Sequence, residues 1–207
     1  MTSYHLKRLP PDKLGMDAEE WHSYQRSLHN LQKEGYNPGK AFREDTVIWS
    51  YNCQMANHTR IREWSAELKH QMILLQGTQQ TYDPTLGEKT LTRWQTDYHD
   101  VIEARVQKKA RQGHQPEGVT IMVPKGMFKI AKKVVVPTAK ELEGRGLMIW
   151  FSRGLYDLVL TTMYCPLCDR DVQNHRRTEK LWQWAGRSRQ LIPGRARHIL
   201  GTDANGK

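Results

Sequence analysis

Two periods of apolar spacing run through this chain. Behind a cap formed by Asp17 and Glu20, the residues Trp21, Tyr24, Leu28 and Leu31 recur every three or four positions, so a helix is predicted that Gly35 and Asn37-Pro38-Gly39 stop. Thr46 to Asn52 is β-branched and aromatic, which predicts a short strand with Cys53 at its end. From Thr59 the positions Ile61, Trp64, Leu68, Met72 and Leu75 again step at helical spacing, ending near Gly77. Asp83-Pro84 opens a further predicted helix through Leu91, Trp94, Tyr98, Ile102 and Val106 to Gly113.

The pattern changes at Val119. Val119 to Val123 and Phe128 to Val136 are β-prone runs joined through Pro124-Lys125-Gly126, and they predict a hairpin. Thr138 and Glu141 make a second capping pair, and the apolar stretch Leu147 to Tyr164 reads as the central buried helix. A last helix follows Arg176-Arg177 through Leu181, Trp182 and Trp184. Residues 1–16, polar with Pro10-Pro11, read as a flexible arm, and 199–207 as a disordered tail. The expected fold is therefore mainly α. It is a single zinc-braced helical domain over 17–198, with a basic β-hairpin inserted at about 105–140 and flexible termini.

The metal enters that expectation through Cys165-Pro166-Leu167-Cys168. Two thiolates at this spacing can hold one tetrahedral ion from a single turn. The chain has 3 Cys, so the other ligands must come from Cys53 and histidine. Cys53 and His58 form a Cys-x4-His step, and Cys53, His58, Cys165 and Cys168 are the expected structural zinc set. His175 is a rival for the fourth position. A redox pair lacks the strand-to-helix setting such a pair needs, and buried inert thiols remain the plain alternative.

Charge adds a partner. With 32 Lys and Arg against 22 Asp and Glu, the formal net charge is +10, which favours a polyanion such as RNA or single-stranded DNA. The candidate phosphate contacts are Lys108, Lys109, Arg111, Lys125, Lys129, Lys132 and Lys133 around the hairpin, then Arg176, Arg177, Arg187 and Arg189 beside the tryptophans. The same lysines could instead guard a solvated sheet edge, and the same tryptophans could pack a core. No apolar run is long enough to span a membrane as a helix, the start is unlike a signal peptide, and three cysteines suit a reducing compartment, so an intracellular protein is expected. Phosphate-binding glycine loops, nucleophile elbows and His-Glu-x-x-His helices are absent, as is the His-x-Glu step of a zinc deaminase. Asn174-His175 after the knuckle leaves room for a metal-dependent nuclease centred on His175.

The order Trp49, Cys53, His58, Thr59-Arg60-Ile61, then Asp83, Thr90-Leu91, Asp97 and Tyr98, then Trp150 to Arg153 and Cys165 to Cys168 resembles the nuclear accessory phosphoprotein of bocaparvoviruses, the NP protein, and its relatives in other parvoviruses. The resemblance covers roughly 49–102 and 150–177; the family's Arg-Ser-rich amino-terminal tail is missing, and 103–145 is an insertion. It implies a non-enzymatic regulator in the host nucleus that supports viral DNA replication and viral pre-mRNA processing, with host processing or replication proteins as partners. A nucleic-acid-packaging viral structural protein is the alternative in the same setting.

Overall fold

A computed structural model describes residues 22, 26, 47–53, 56–79, 91–106, 117–153, 156–166 and 171–203. The helix expected after Asp17 lies outside these residues, apart from His22 and Arg26, which are helical.

Strands dominate the described residues. β1 (Ile48–Asn52) is followed by α1 (His58–Glu67), then β2 (Met72–Gln79), β3 (Leu91–Gln95), β4 (His99–Ala104) and β5 (Glu117–Pro124). These strands make one sheet in the order β1-β2-β5-β4-β3, with β1 parallel to β2 and the other pairs antiparallel. The second sheet takes β6 (Ala131–Val135), β7 (Gly146–Arg153), β8 (Tyr156–Tyr164) and, after α2 (Val172–Gln190), β9 (Arg197–Asp203). Its order is β6-β7-β8-β9, with β9 parallel to β8.

Three apolar layers hold this together. Between the sheets lie Met72, Leu74, Ile102, Ile121, Phe128, Ile149, Phe151 and Leu160, all nearly or fully buried. Ile61 of α1 caps the outer face of the first sheet over Ile73, Leu75, Val101 and Met122. Leu181, Trp184 and Ala185 of α2 cap the outer face of the second sheet over Met148, Val159 and Met163. The result is helix, sheet, sheet, helix. Since α1 covers one sheet and α2 the other, strands such as β2 and β7 carry apolar residues on both faces and contain unbroken apolar runs, Met72–Leu75 and Leu147–Phe151.

The mainly helical expectation is thus corrected to a β-sandwich with one described helix on each outer face. The stretch Leu147 to Tyr164 is the β7–β8 hairpin, paired from Gly146↔Met163 to Arg153↔Tyr156. Leu91 to Ala104 is the β3–β4 hairpin, and the helix begun at Thr59 ends at Glu67, leaving Met72 and Leu75 to β2. The expected basic hairpin is two strands that do not pair with each other. Gly126 at φ 95 and a turn of 3-10 helix at Met127–Ile130 carry the chain from β5 in one sheet to β6 in the other. Thr138 and Glu141 flank a second short 3-10 turn, Lys140–Leu142. The strand at 48 and the basic helix after the knuckle match expectation, the latter capped by Asp171, whose side chain accepts from the Gln173 N–H at 2.8 Å. β9 crosses the boundary expected at 198 and 199 and reaches Asp203.

Candidate functional site

The carboxyl ends of β1, β2, β8 and β9 meet at one end of the sandwich. β1 and β9, each at an edge of its own sheet, lie against one another there. Their approach is close because Gly201 has no side chain: a Cβ at that position would lie 2.4 Å from Ser50 Oγ and 3.0 Å from Gln76 Nε2. Gln76 then ties the sheets together, its amide donating to Thr162 Oγ1 at 3.0 Å and to Ser50 Oγ at 3.2 Å. Two residues beyond Gly201 and Ser50, the strands end in polar groups that touch. Asn52 Nδ2 donates to Asp203 Oδ2 at 2.5 Å.

Gly77 and Tyr164 complete the cluster. The β2–β5 register shifts between Gln76 and Thr78, so Gly77 sits in a bulge at φ 70, the left-handed region. A Cβ there would be 3.4 Å from Asn52 Oδ1 and 3.5 Å from Tyr164 Cε2, so amide and ring pack closely about the buried glycine. Tyr164 pairs with Asp203 across β8 and β9, and the Arg145 guanidinium lies 5.5 Å over its ring. One carboxylate, one carboxamide, one phenol ring and one guanidinium therefore line this end. Asp203 can accept a donor or hold a hard cation, Asn52 can present its carbonyl oxygen, and Arg145 can attract an anion.

The expected zinc ligands do different work. Cys53 donates its thiol to the Gln76 carbonyl at 3.0 Å, and burial pushes the thiol pKa up to about 11, so it stays protonated. His58 opens α1 with its ring 4.6 Å from that of Trp94 and Nε2 3.3 Å from Glu103 Oε1. Cys165 is buried beneath α2 with Leu181, and its backbone N–H bonds the Asp203 carbonyl at 3.0 Å. Cys168 lies outside the described residues, among which no group of three or more His, Cys, Asp or Glu could hold a metal. Structural zinc is withdrawn on these grounds.

Of the expected phosphate contacts, Lys108, Lys109 and Arg111 lie outside the described residues. Lys125 is buried at the far end of β5, Lys129 is half-buried in the turn between sheets, and Lys132 and Lys133 are exposed on the edge strand β6. Arg176 and Arg187 are exposed on α2, and Arg177 donates to Asn174 at 3.0 Å. Arg189 donates to the carbonyls of Ile192, Pro193, Gly194 and Ala196, which fixes the turn into β9. His175 sits exposed on α2 rather than in the Asn52–Asp203 cluster. Sequence reasoning missed Asp203, Gly77 and Tyr164. The signal available was the β-branched and aliphatic run ending at Asp203, read there as a tail.

No protein-family model and no curated protein matches this chain. Among solved structures it is similar to TDP2 from Caenorhabditis elegans at TM-score 0.50 and 11% identity, covering 78% of this chain and 48% of that one. Weaker likenesses are the endonuclease domain of TRAS1, a telomere-specific non-LTR retrotransposon (TM-score 0.39, 14% identity, 74% and 58% covered), and ANGEL2, a 2′,3′-cyclic phosphatase (TM-score 0.41, 14% identity, 72% and 43% covered). The fold likeness rests on TDP2, about half of whose length this chain spans. The parvoviral resemblance fails against it, because the fold is this sandwich and Cys53, His58 and Cys165 are each engaged apart from any metal group. The non-enzymatic viral regulator and the packaging protein, which rested on that resemblance, fail with it.

Proposed function

We propose that this chain is a phosphodiester hydrolase domain acting on nucleic acid at the Asn52–Asp203 end of the sandwich. The observation that carries the reading is the 2.5 Å bond from Asn52 to Asp203 where the edge strands of the two sheets converge. It joins two distant chain segments at the end where β1 and β9 converge. The fold likeness to TDP2 and the net charge of +10 support the same class.

The donors present fit a divalent cation of one kind. Asp203 and the Asn52 carbonyl are hard oxygen ligands, and magnesium is commonly held by one or two carboxylates together with substrate phosphates. They therefore fit a cation shared with the substrate, with Asp203 as its protein ligand. Such an ion would neutralise charge on the phosphoryl oxygens and lower the pKa of a bound water. The protein's own contributions are separate. Asn52 orients the Asp203 carboxylate, and Arg145 draws in the phosphate.

The purified chain is expected to cleave a labelled oligonucleotide with Mg²⁺ or Mn²⁺ present. Asp203→Asn is expected to lower the rate by on the order of a hundredfold or more, the scale of losing one positioned electrostatic group. His175→Ala is expected to leave it unchanged. No cleavage by wild type, or equal cleavage by Asp203→Asn, would refute the proposal.

A further inference from the structure

The face of β2 that looks into the core between the sheets is apolar at Met72 and Leu74, and polar at the next position on that face, Gln76. Gln76 is 1% exposed. A carboxamide so buried is costly unless it is bonded, and packing alone would be served by another leucine. Its Nε2 donates to Thr162 Oγ1 at 3.0 Å, to Ser50 Oγ at 3.2 Å and to the Leu74 carbonyl at 3.2 Å. Its backbone carbonyl takes the Cys53 N–H at 2.9 Å and the Cys53 thiol at 3.0 Å.

The residues around this amide stand in a fixed relation to the site. Ser50 lies two positions before Asn52 on β1, and Thr162 two before Tyr164 on β8. Gly201, where a Cβ would lie 3.0 Å from Nε2, is two before Asp203 on β9. Positions two apart in a strand share a face and are separated by about 7 Å. One amide is therefore set a single step below three of the site residues, and Gln76 itself directly precedes the fourth, Gly77. β1 and β9 belong to different sheets, and no ladder joins them among the described residues. The separation of Asn52 from Asp203 is thus set by the side chains between those strands, of which Gln76 is the one bonded to both sheets.

We infer that Gln76 is the positioning residue of this end of the sandwich, its carboxamide holding β1, β8 and β9 at the separation that lets Asn52 reach Asp203. Its bearing on cleavage rests on the function proposed above, while its bearing on the Asn52–Asp203 bond does not.

The bond can be read apart from cleavage. Gln76→Met keeps the length of the side chain and removes both N–H groups. In the isotope-labelled chain, with no metal or oligonucleotide added, the Asn52 side-chain amide protons are expected to exchange with water about tenfold faster in Gln76→Met than in wild type, the scale of losing one hydrogen bond. Thr162→Val, which removes one acceptor and leaves Gln76 in place, should have the same effect in smaller measure, and it carries the test where Gln76→Met does not fold. A residue that only stabilises the core would not single out this bond. Ile61→Ala, on the outer face of the first sheet, is expected to lower the urea midpoint and leave the Asn52 amide exchange as it is. In a chain that cleaves an oligonucleotide, Gln76→Met should lower kcat about tenfold with KM little changed, since it moves the reacting groups and no substrate contact. Asn52 exchange unchanged in Gln76→Met and Thr162→Val, or raised equally by Ile61→Ala, would overturn the inference, as would full kcat in Gln76→Met where Asp203→Asn is inactive. Faster Asn52 exchange in Gln76→Met of a chain that cuts nothing would leave this inference standing and refute the hydrolase.

Discussion

A methyl group at Gly201 would lie 2.4 Å from Ser50 Oγ, closer than any side chain tolerates, so this glycine decides how near the two sheets come. Gly201→Ala is expected to destabilise the fold by about 1–3 kcal/mol, the usual range for overpacking. Adding Ser50→Ala should restore part of that in denaturant unfolding; strictly additive losses would contradict the contact. His99 reports on another part of the core. It is fully buried, its Nε2 within 2.8 Å of the Gln71 carbonyl and its Nδ1 within 2.8 Å of Ser65 Oγ, and burial, with a smaller contribution from His70, lowers its pKa from 6.5 to about 4. Folded His99 therefore stays neutral while the unfolded chain takes up a proton. Its contribution to stability is complete above about pH 6.5 and is lost as pH falls toward about 4. Urea midpoints are expected to drop between about pH 7.5 and about pH 5, and His99→Gln to drop less. Of the site, Asn52 was legible as the end of a β-branched strand. Asp203 was not, since its strand is short and pairs with segments far away in sequence, and Gly77 looked like a helix stop because both roles need the same left-handed backbone.

Helices and strands were confused where burial erased the pattern that separates them. β7 and β8 are almost wholly buried on both faces, so Leu147 to Tyr164 shows no alternation and was read as one helix. Across β3, β4 and the turn between them, Leu91, Trp94, Tyr98 and Ile102 fall three or four apart by accident. Thr92 and Glu103 paired on one face show the true period of two. α1 and α2 were legible because each has one polar and one buried face. α1 depends on Ile61, fully buried against the first sheet, and Ile61→Ala is expected to cost about 2–5 kcal/mol by thermal or denaturant unfolding. A loss below about 1 kcal/mol would mean that α1 is not seated as described.

For the molecule as a whole, the arrangement of layers matters more than any motif. Among the described residues, α1 and α2 cover the outer faces of the two sheets, the sheets face each other over one core, and their edge strands β1 and β9 converge at the end where Asn52, Gly77, Tyr164 and Asp203 meet. These four residues come from four strands spread over most of the chain, so their proximity is a product of pairing and could not be read from spacing. The charge of +10 was legible and still points to a polyanion. The central claim is that a cation and a substrate phosphate share this end of the sandwich. It is tested most directly by adding Mn²⁺ to the isotope-labelled chain and following line broadening of its amide resonances, with and without a non-cleavable oligonucleotide. The account predicts that Asn52, Gly77, Tyr164 and Asp203 broaden first, and strongly only with the oligonucleotide present. Broadening centred on His58 or His175, or none near Asp203 in the ternary mixture, would contradict it.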